Sequence, residues 1–144
     1  MGIALSGCSS VFLDTAPFIY LFEDHPEFGK PVASFLRSCN EKNIAIVTSV
    51  ITYIELLTIP TRKNKVEIVD TYHHLLTESP EITLLPIDLV PTREAVRLRA
   101  DHGMKTADAL QIAAAVCHGA DLIVTNDKDW RRIPDLPIVL VGEL

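Results

Sequence analysis

Apolar positions along the chain follow two alternating patterns. Short runs rich in β-branched residues read as buried strands over residues 10–14, 44–48, 82–87, 121–125 and 137–141. Between them, apolar residues recur at helical spacing. Helices are expected over 15–23 and over 30–41, with Pro31 at the opening. SVITYIELL follows the second strand, capped by Thr48 or Ser49 and stopped by Pro60. A more polar helix over 62–78 carries Val66, Val69, Tyr72 and Leu76 on one face. Pro91 opens another that runs to about residue 102. Thr106 caps ADALQIAAAVCH, which ends at Gly119.

Strands that alternate with helices pair in parallel, with helices packed on the sheet. The expected architecture is therefore a single α/β domain over residues 10–144, after a short tail over 1–9. MGIALS matches a loose acylation pattern at Gly2, and LSGC resembles a lipoprotein processing site. The basic n-region is missing and the apolar run before Cys8 is short, which favours a plain tail. No apolar run approaches the roughly 18 residues that would span a bilayer.

In this arrangement helices run antiparallel to strands, which gives four acids a common place. Asp14 ends the first strand and Asp127 follows the fourth, so both belong to the carboxyl edge of the sheet. Asp108 opens the helix that feeds the fourth strand, and that helix starts at the same edge. Glu55 is six residues past Ser49, about 9 Å along its helix, and needs that helix to lean over the crevice. It is flanked by Ile54, Leu56 and Leu57, an unusual setting for a carboxylate. Each acid taken alone has a structural explanation. Asp14 caps a helix, Asp108 complements a helix dipole, Asp127 occupies a turn, and Glu55 lies at the surface.

Charge changes the picture only when the acids are taken together. The formal net charge is −6, unlike a non-specific nucleic-acid binder. Converging carboxylates repel one another unless a cation sits among them. Mg²⁺ or Mn²⁺ suits carboxylate oxygens, clamps phosphate and lowers the pKa of bound water. Local cations could then meet a phosphodiester: Lys105, Lys128, Arg131 and Arg132 lie nearest these acids in sequence. The groups Arg62, Lys63, Lys65 and Arg93, Arg97, Arg99 are interleaved with acids and read as solvated faces. The five histidines have no ligand spacing. The three cysteines are isolated, which fits free thiols in a reducing, cytoplasmic setting.

FLDTAPFI, TSVITYIELL and GMKTADALQIAAAVCHGADLIVTNDKDW, in that order, resemble the PIN-domain family, and within it the VapC-like toxin ribonucleases. The resemblance covers nearly the whole chain. It implies a three-layer α/β/α sandwich with a five-stranded parallel sheet. It also implies that Asp14, Glu55, Asp108 and Asp127 hold one or two Mg²⁺ or Mn²⁺ ions that serve cleavage of single-stranded RNA. Thr125 maps onto the family's polar residue that holds an acid or a water. Thr15 would position the Asp14 loop, Asn126 would orient the last loop, and Asp129 would be an auxiliary or merely exposed acid. Family members are often homodimers and often held inactive by a small antitoxin protein. The tail before the first strand is longer than in many members, and Trp130 stands where smaller aromatics are commoner.

Three other readings stay open. One is a housekeeping RNA-processing nuclease and another a non-catalytic binding module. A phosphatase of the haloacid-dehalogenase type would need a second Asp two residues after Asp14, where Ala16 stands.

Overall fold

The computed structural model describes residues 3–144, so the acylation pattern at Gly2 lies outside the described residues. Five strands form one sheet in the order β3-β2-β1-β4-β5. They are β1 (Ser10–Leu13), β2 (Ala45–Ser49), β3 (Ile82–Leu85), β4 (Leu122–Thr125) and β5 (Ile138–Leu140). The fold is α/β, as the alternating pattern implies. The chain divides into two compact units, one ending at Ile46 and resuming over Ala120–Leu144, the other spanning Val47–Gly119.

In the first unit, β1 is buried along its whole length, and Val11, Phe12 and Leu13 are at most 1% exposed. Burial on both faces is why this strand reads as a continuous apolar run rather than an alternation. It pairs in parallel with β4, Val11 opposite Leu122 and Leu13 opposite Val124. β4 pairs in parallel with β5, Thr125 opposite Leu140. Asp121 pins the start of this ladder. Its Oδ2 accepts from Ser9 N at 2.7 Å, Ser9 Oγ at 2.9 Å and Ser10 N at 3.0 Å. At the other end the Asp14 amide donates to the Val124 carbonyl at 2.9 Å.

Helices α1 (Thr15–Phe22) and α2 (Gly29–Glu41) pack on each other in this unit. Val32, Phe35 and Cys39 form the buried stripe of α2, at the spacing of one helix face. The turn between the helices brings backbones close. A Cβ on Gly29 would come within 3.1 Å of Asp24 C and 3.2 Å of Tyr20 O, so only glycine fits without a shift.

The second unit holds α3 (Val50–Arg62), α4 (Val66–Glu78), β3, α5 (Leu89–His102) and α6 (Thr106–His118). Ser49 caps α3, its Oγ accepting from Ile51 N at 3.0 Å. Pro60 lies inside α3 rather than stopping it. So near the helix end a proline forfeits one late hydrogen bond, and the turn that follows supplies the stop. That stop is Asn64, at φ +53, with Lys65 N returning to the Pro60 carbonyl at 2.9 Å. For the same reason α4 starts at Val66 and not at residue 62. The expected stripe on α4 is divided: Tyr72 and Leu76 are buried, whereas Val66 is 65% exposed.

β3 ends at Leu85 because Pro86 offers no amide to a ladder. α5 begins two residues before Pro91, with Asp88 Oδ1 accepting from Val90 N at 3.2 Å. Pro91 then occupies the first turn, where its missing N–H costs nothing. Lys105, not Thr106, is the cap residue of α6; it is extended at ψ 152, and Thr106 is already helical. Gly103 and Gly119 end α5 and α6 in the left-handed conformation, at φ +65 and +80. α5 and α6 pack together, and residues Ala113, Ala114 and Ala115 of α6 are buried.

Candidate functional site

Asp14 leaves β1 in an extended conformation and caps α1, its Oδ1 accepting from Thr15 N at 2.8 Å. Its Oδ2 accepts from the hydroxyl of Thr125 at 2.7 Å. Thr125 is fully buried at the end of β4, and its oxygen also accepts from Asp127 N at 3.0 Å. The three groups form a relay in which the Thr125 proton points at the Asp14 carboxylate. The parallel β1–β4 register creates it, since it carries both strand ends to the same edge. Asp127 turns back on its own loop, with Oδ1 accepting from Asp129 N at 2.9 Å. Asp14 and Asp127 are therefore both half-buried and held from behind by backbone amides. Capping and a functional role are compatible here, because each carboxylate oxygen has a second lone pair.

The other residues of this loop divide by burial. Asn126 is exposed, and its Nδ2 donates to the Tyr20 hydroxyl at 2.7 Å. That bond ties the loop to α1, and Tyr20 gave no sign of it in the sequence beyond being a polar aromatic on an apolar helix. Tyr20 in turn packs against His25 and Phe28, with ring centroids 4.7 and 5.2 Å away. Asp129 contributes its amide to Asp127 and leaves its own side chain exposed. Lys128, Arg131 and Arg132 are the exposed cations of the 3-10 turn Lys128–Arg132, whose Trp130 is buried. Arg131 is committed to Glu143, whose carboxyl it holds below the usual range together with the Leu140 amide. Among the described residues, Lys105, Lys128 and Arg132 make no ion pair with an acid. Arg97, by contrast, is paired with Glu94 and Asp101, as expected of a solvated face.

In the second unit, Asp108 stands in the first turn of α6, half-buried, and Glu55 lies on α3, exposed. One turn from each is a buried polar chain that apolar patterning did not reveal. Gln111 Oε1 accepts from Ser49 Oγ, and Gln111 Nε2 donates to Thr52 Oγ1 at 2.8 Å. Thr48 Oγ1 donates to the same Thr52 oxygen at 2.8 Å. Tyr53, beside Glu55, bonds His73 Nδ1 at 2.8 Å.

Among the described residues, no group of three or more His, Cys, Asp or Glu side chains is gathered closely enough to hold one metal ion. No described helix is long and apolar enough to cross a membrane. The three thiols are free: Cys117 exposed, Cys8 half-buried and Cys39 buried, and burial pushes the Cys39 thiol up to about 11.

Comparison with known proteins gives these elements a context. The family profile described as PIN domain matches residues 11–136. No curated protein sequence matches. Among solved structures, VapBC2 from Rickettsia felis, bound to a DNA fragment from its promoter, superposes with a TM-score of 0.75. The identity is 21%, over 91% of this chain and 98% of that one. A toxin-antitoxin complex from Klebsiella pneumoniae gives 0.68 at 22% identity, over 93% and 99% of the two chains. Mycobacterium tuberculosis VapC20, described as a Sarcin-Ricin loop cleaving toxin, gives 0.69 at 16% identity, over 86% and 95%. At these identities the likeness is one of fold.

Proposed function

Because the chain belongs to the PIN-domain family, we propose that it is a divalent-metal-dependent endoribonuclease, the toxin of a toxin-antitoxin pair. The observation that carries this reading is the Thr125 relay. A buried hydroxyl spends its one proton on Asp14 while being oriented by the amide of Asp127. Capping alone does not call for this bond, since Thr15 N already satisfies the capping role.

The donor set fits Mg²⁺ or Mn²⁺. Its members are hard oxygens, and Mg²⁺ commonly takes one or two carboxylates and keeps several waters, so pairs of acids suffice. Asp14 and Asp127 are the acids of the first unit that would serve as ligands, and Glu55 and Asp108 are those of the second. When bound, the ion supplies an activated water and neutralises phosphate oxygens. The chain's own work is positional. Thr15 and Thr125 fix the Asp14 carboxylate, Asp129 N fixes that of Asp127, and Asn126 anchors their loop on Tyr20. Lys105, Lys128 and Arg132 are the cations left to meet RNA phosphates, with Arg131 held by Glu143.

The toxin role is supported by neighbours solved as toxin-antitoxin complexes, and RNA as substrate by the sequence motifs. We place the protein in the cytoplasm with a small antitoxin as partner. We also propose a homodimer, for which Ile54, more than half exposed on α3, is a candidate contact. The test is cleavage of single-stranded RNA in Mn²⁺ by the wild type, by Asp14→Asn, and by the wild type with EDTA. Cleavage by the untreated wild type alone is expected, with Asp14→Asn at least 100-fold slower. Equal cleavage in all three, or none in any, would sink the reading.

A further inference from the structure

The buried chain through Gln111 is not needed to fill the core. Gln111 is 1% exposed in the middle of α6, where alanines and Ile112 surround it in sequence. A leucine there would bury more apolar surface and ask for no partners. Instead both ends of the amide are satisfied across α3: Oε1 by the Ser49 hydroxyl and Nε2 by the Thr52 hydroxyl. Thr52 is further fixed by Thr48, and Ser49 by its bond to the Ile51 amide. Side-chain bonds of this kind impose one register and one rotation on two helices, where an apolar contact tolerates several.

The place of the bond gives that register a use. Thr52 lies three residues before Glu55 on α3, and Gln111 three residues after Asp108 on α6. Residues three apart are neighbours on a helix surface. The Thr52–Gln111 bond is thus one turn from each of the two proposed acids of this unit.

We propose that Gln111 is a positioning residue. By bonding Ser49 and Thr52 it locks α6 against α3 and sets the relation between Asp108 and Glu55 that a divalent cation requires. This rests on the metal-nuclease reading above.

The experiment uses the full chain as wild type, Gln111→Leu, Thr52→Val and the double variant. Thermal stability is followed by the fluorescence of Trp130, the chain's one tryptophan. Mn²⁺ binding is measured directly by the electron paramagnetic resonance of the free ion, and RNA cleavage is recorded against Mn²⁺ concentration. Each single variant leaves a buried polar group without its partner and should melt below the wild type. The double variant removes the Gln111–Thr52 pair together and should recover part of that loss, the Ser49 and Thr48 hydroxyls still lacking these partners. Its Mn²⁺ dissociation constant should nevertheless stay raised by about tenfold or more, the range for residues that orient metal ligands. Its half-activating Mn²⁺ concentration should rise in parallel. If stability and Mn²⁺ affinity recover together, or if no variant changes Mn²⁺ affinity, Gln111 only holds the core and the proposal falls. If the wild type itself neither binds Mn²⁺ nor cleaves RNA, the nuclease reading falls and takes this inference with it.

Discussion

Asp121 shows how much one exposed carboxylate does at the start of a parallel ladder. Three donors from Ser9 and Ser10 converge on it, and these bonds hold its carboxyl below its ordinary value of 3.8. A folded value below the unfolded one means stability that is present above pH 3.8 and is lost as pH falls through the folded value. Asp121→Asn should therefore melt below the wild type at pH 7, with the gap closing under acid. A gap of the same size at pH 7 and pH 3 would show that the ion contributes nothing. Asp121 was not legible in the sequence as anything but the residue before a strand, since its partners are over 110 residues away. Asp14 was legible, because a carboxylate at the seam of an apolar strand and an apolar helix is costly to place by chance. Thr125 became legible only through family resemblance, and Gln111 and Tyr20 not at all. A glutamine in an alanine-rich helix looks the same whether it is solvated or bonded on both sides.

At the scale of elements, hydrophobic period located every strand and α-helix; it missed the short 3-10 helices Lys128–Arg132 and Val141–Glu143, and the other errors are at ends. Pro60 was read as a stop, Pro91 as a start and Thr106 as a cap, each by its usual preference. The structure chose Asn64, Asp88 and Lys105 instead. Cap preferences are worth about 1 kcal/mol, and a proline penalty of about 3 kcal/mol in a helix interior shrinks near its end, so packing of the helix body overrides them. α6 is the clearest case of packing in control. It packs on both α5 and α3, and Ala113 in its run of buried alanines is fully buried. Ala113→Leu forces extra volume into the packing around this helix and should cost about 1–3 kcal/mol. The measurement is the urea midpoint of unfolding. A midpoint equal to the wild type's would mean that this packing has room to spare.

For the whole molecule, the sequence carried the fold class, the sheet's five strands and the list of candidate acids. It could not carry their distances, because carboxylate spacing depends on helix rotations that no single-residue pattern encodes. The structure supplies the local fixtures: the Thr125 relay in one unit and the Gln111 chain in the other. Each fixture orients acids proposed as ligands of a divalent cation, which a chain whose acids outnumber its bases would need in order to act on a polyanion. Crystals grown with Mn²⁺ and measured at the manganese absorption edge test this most directly. The anomalous map should show a peak about 2 Å from a carboxylate oxygen of Asp14. A map with no peak at Asp14, or with manganese bound only elsewhere on the chain, would contradict it.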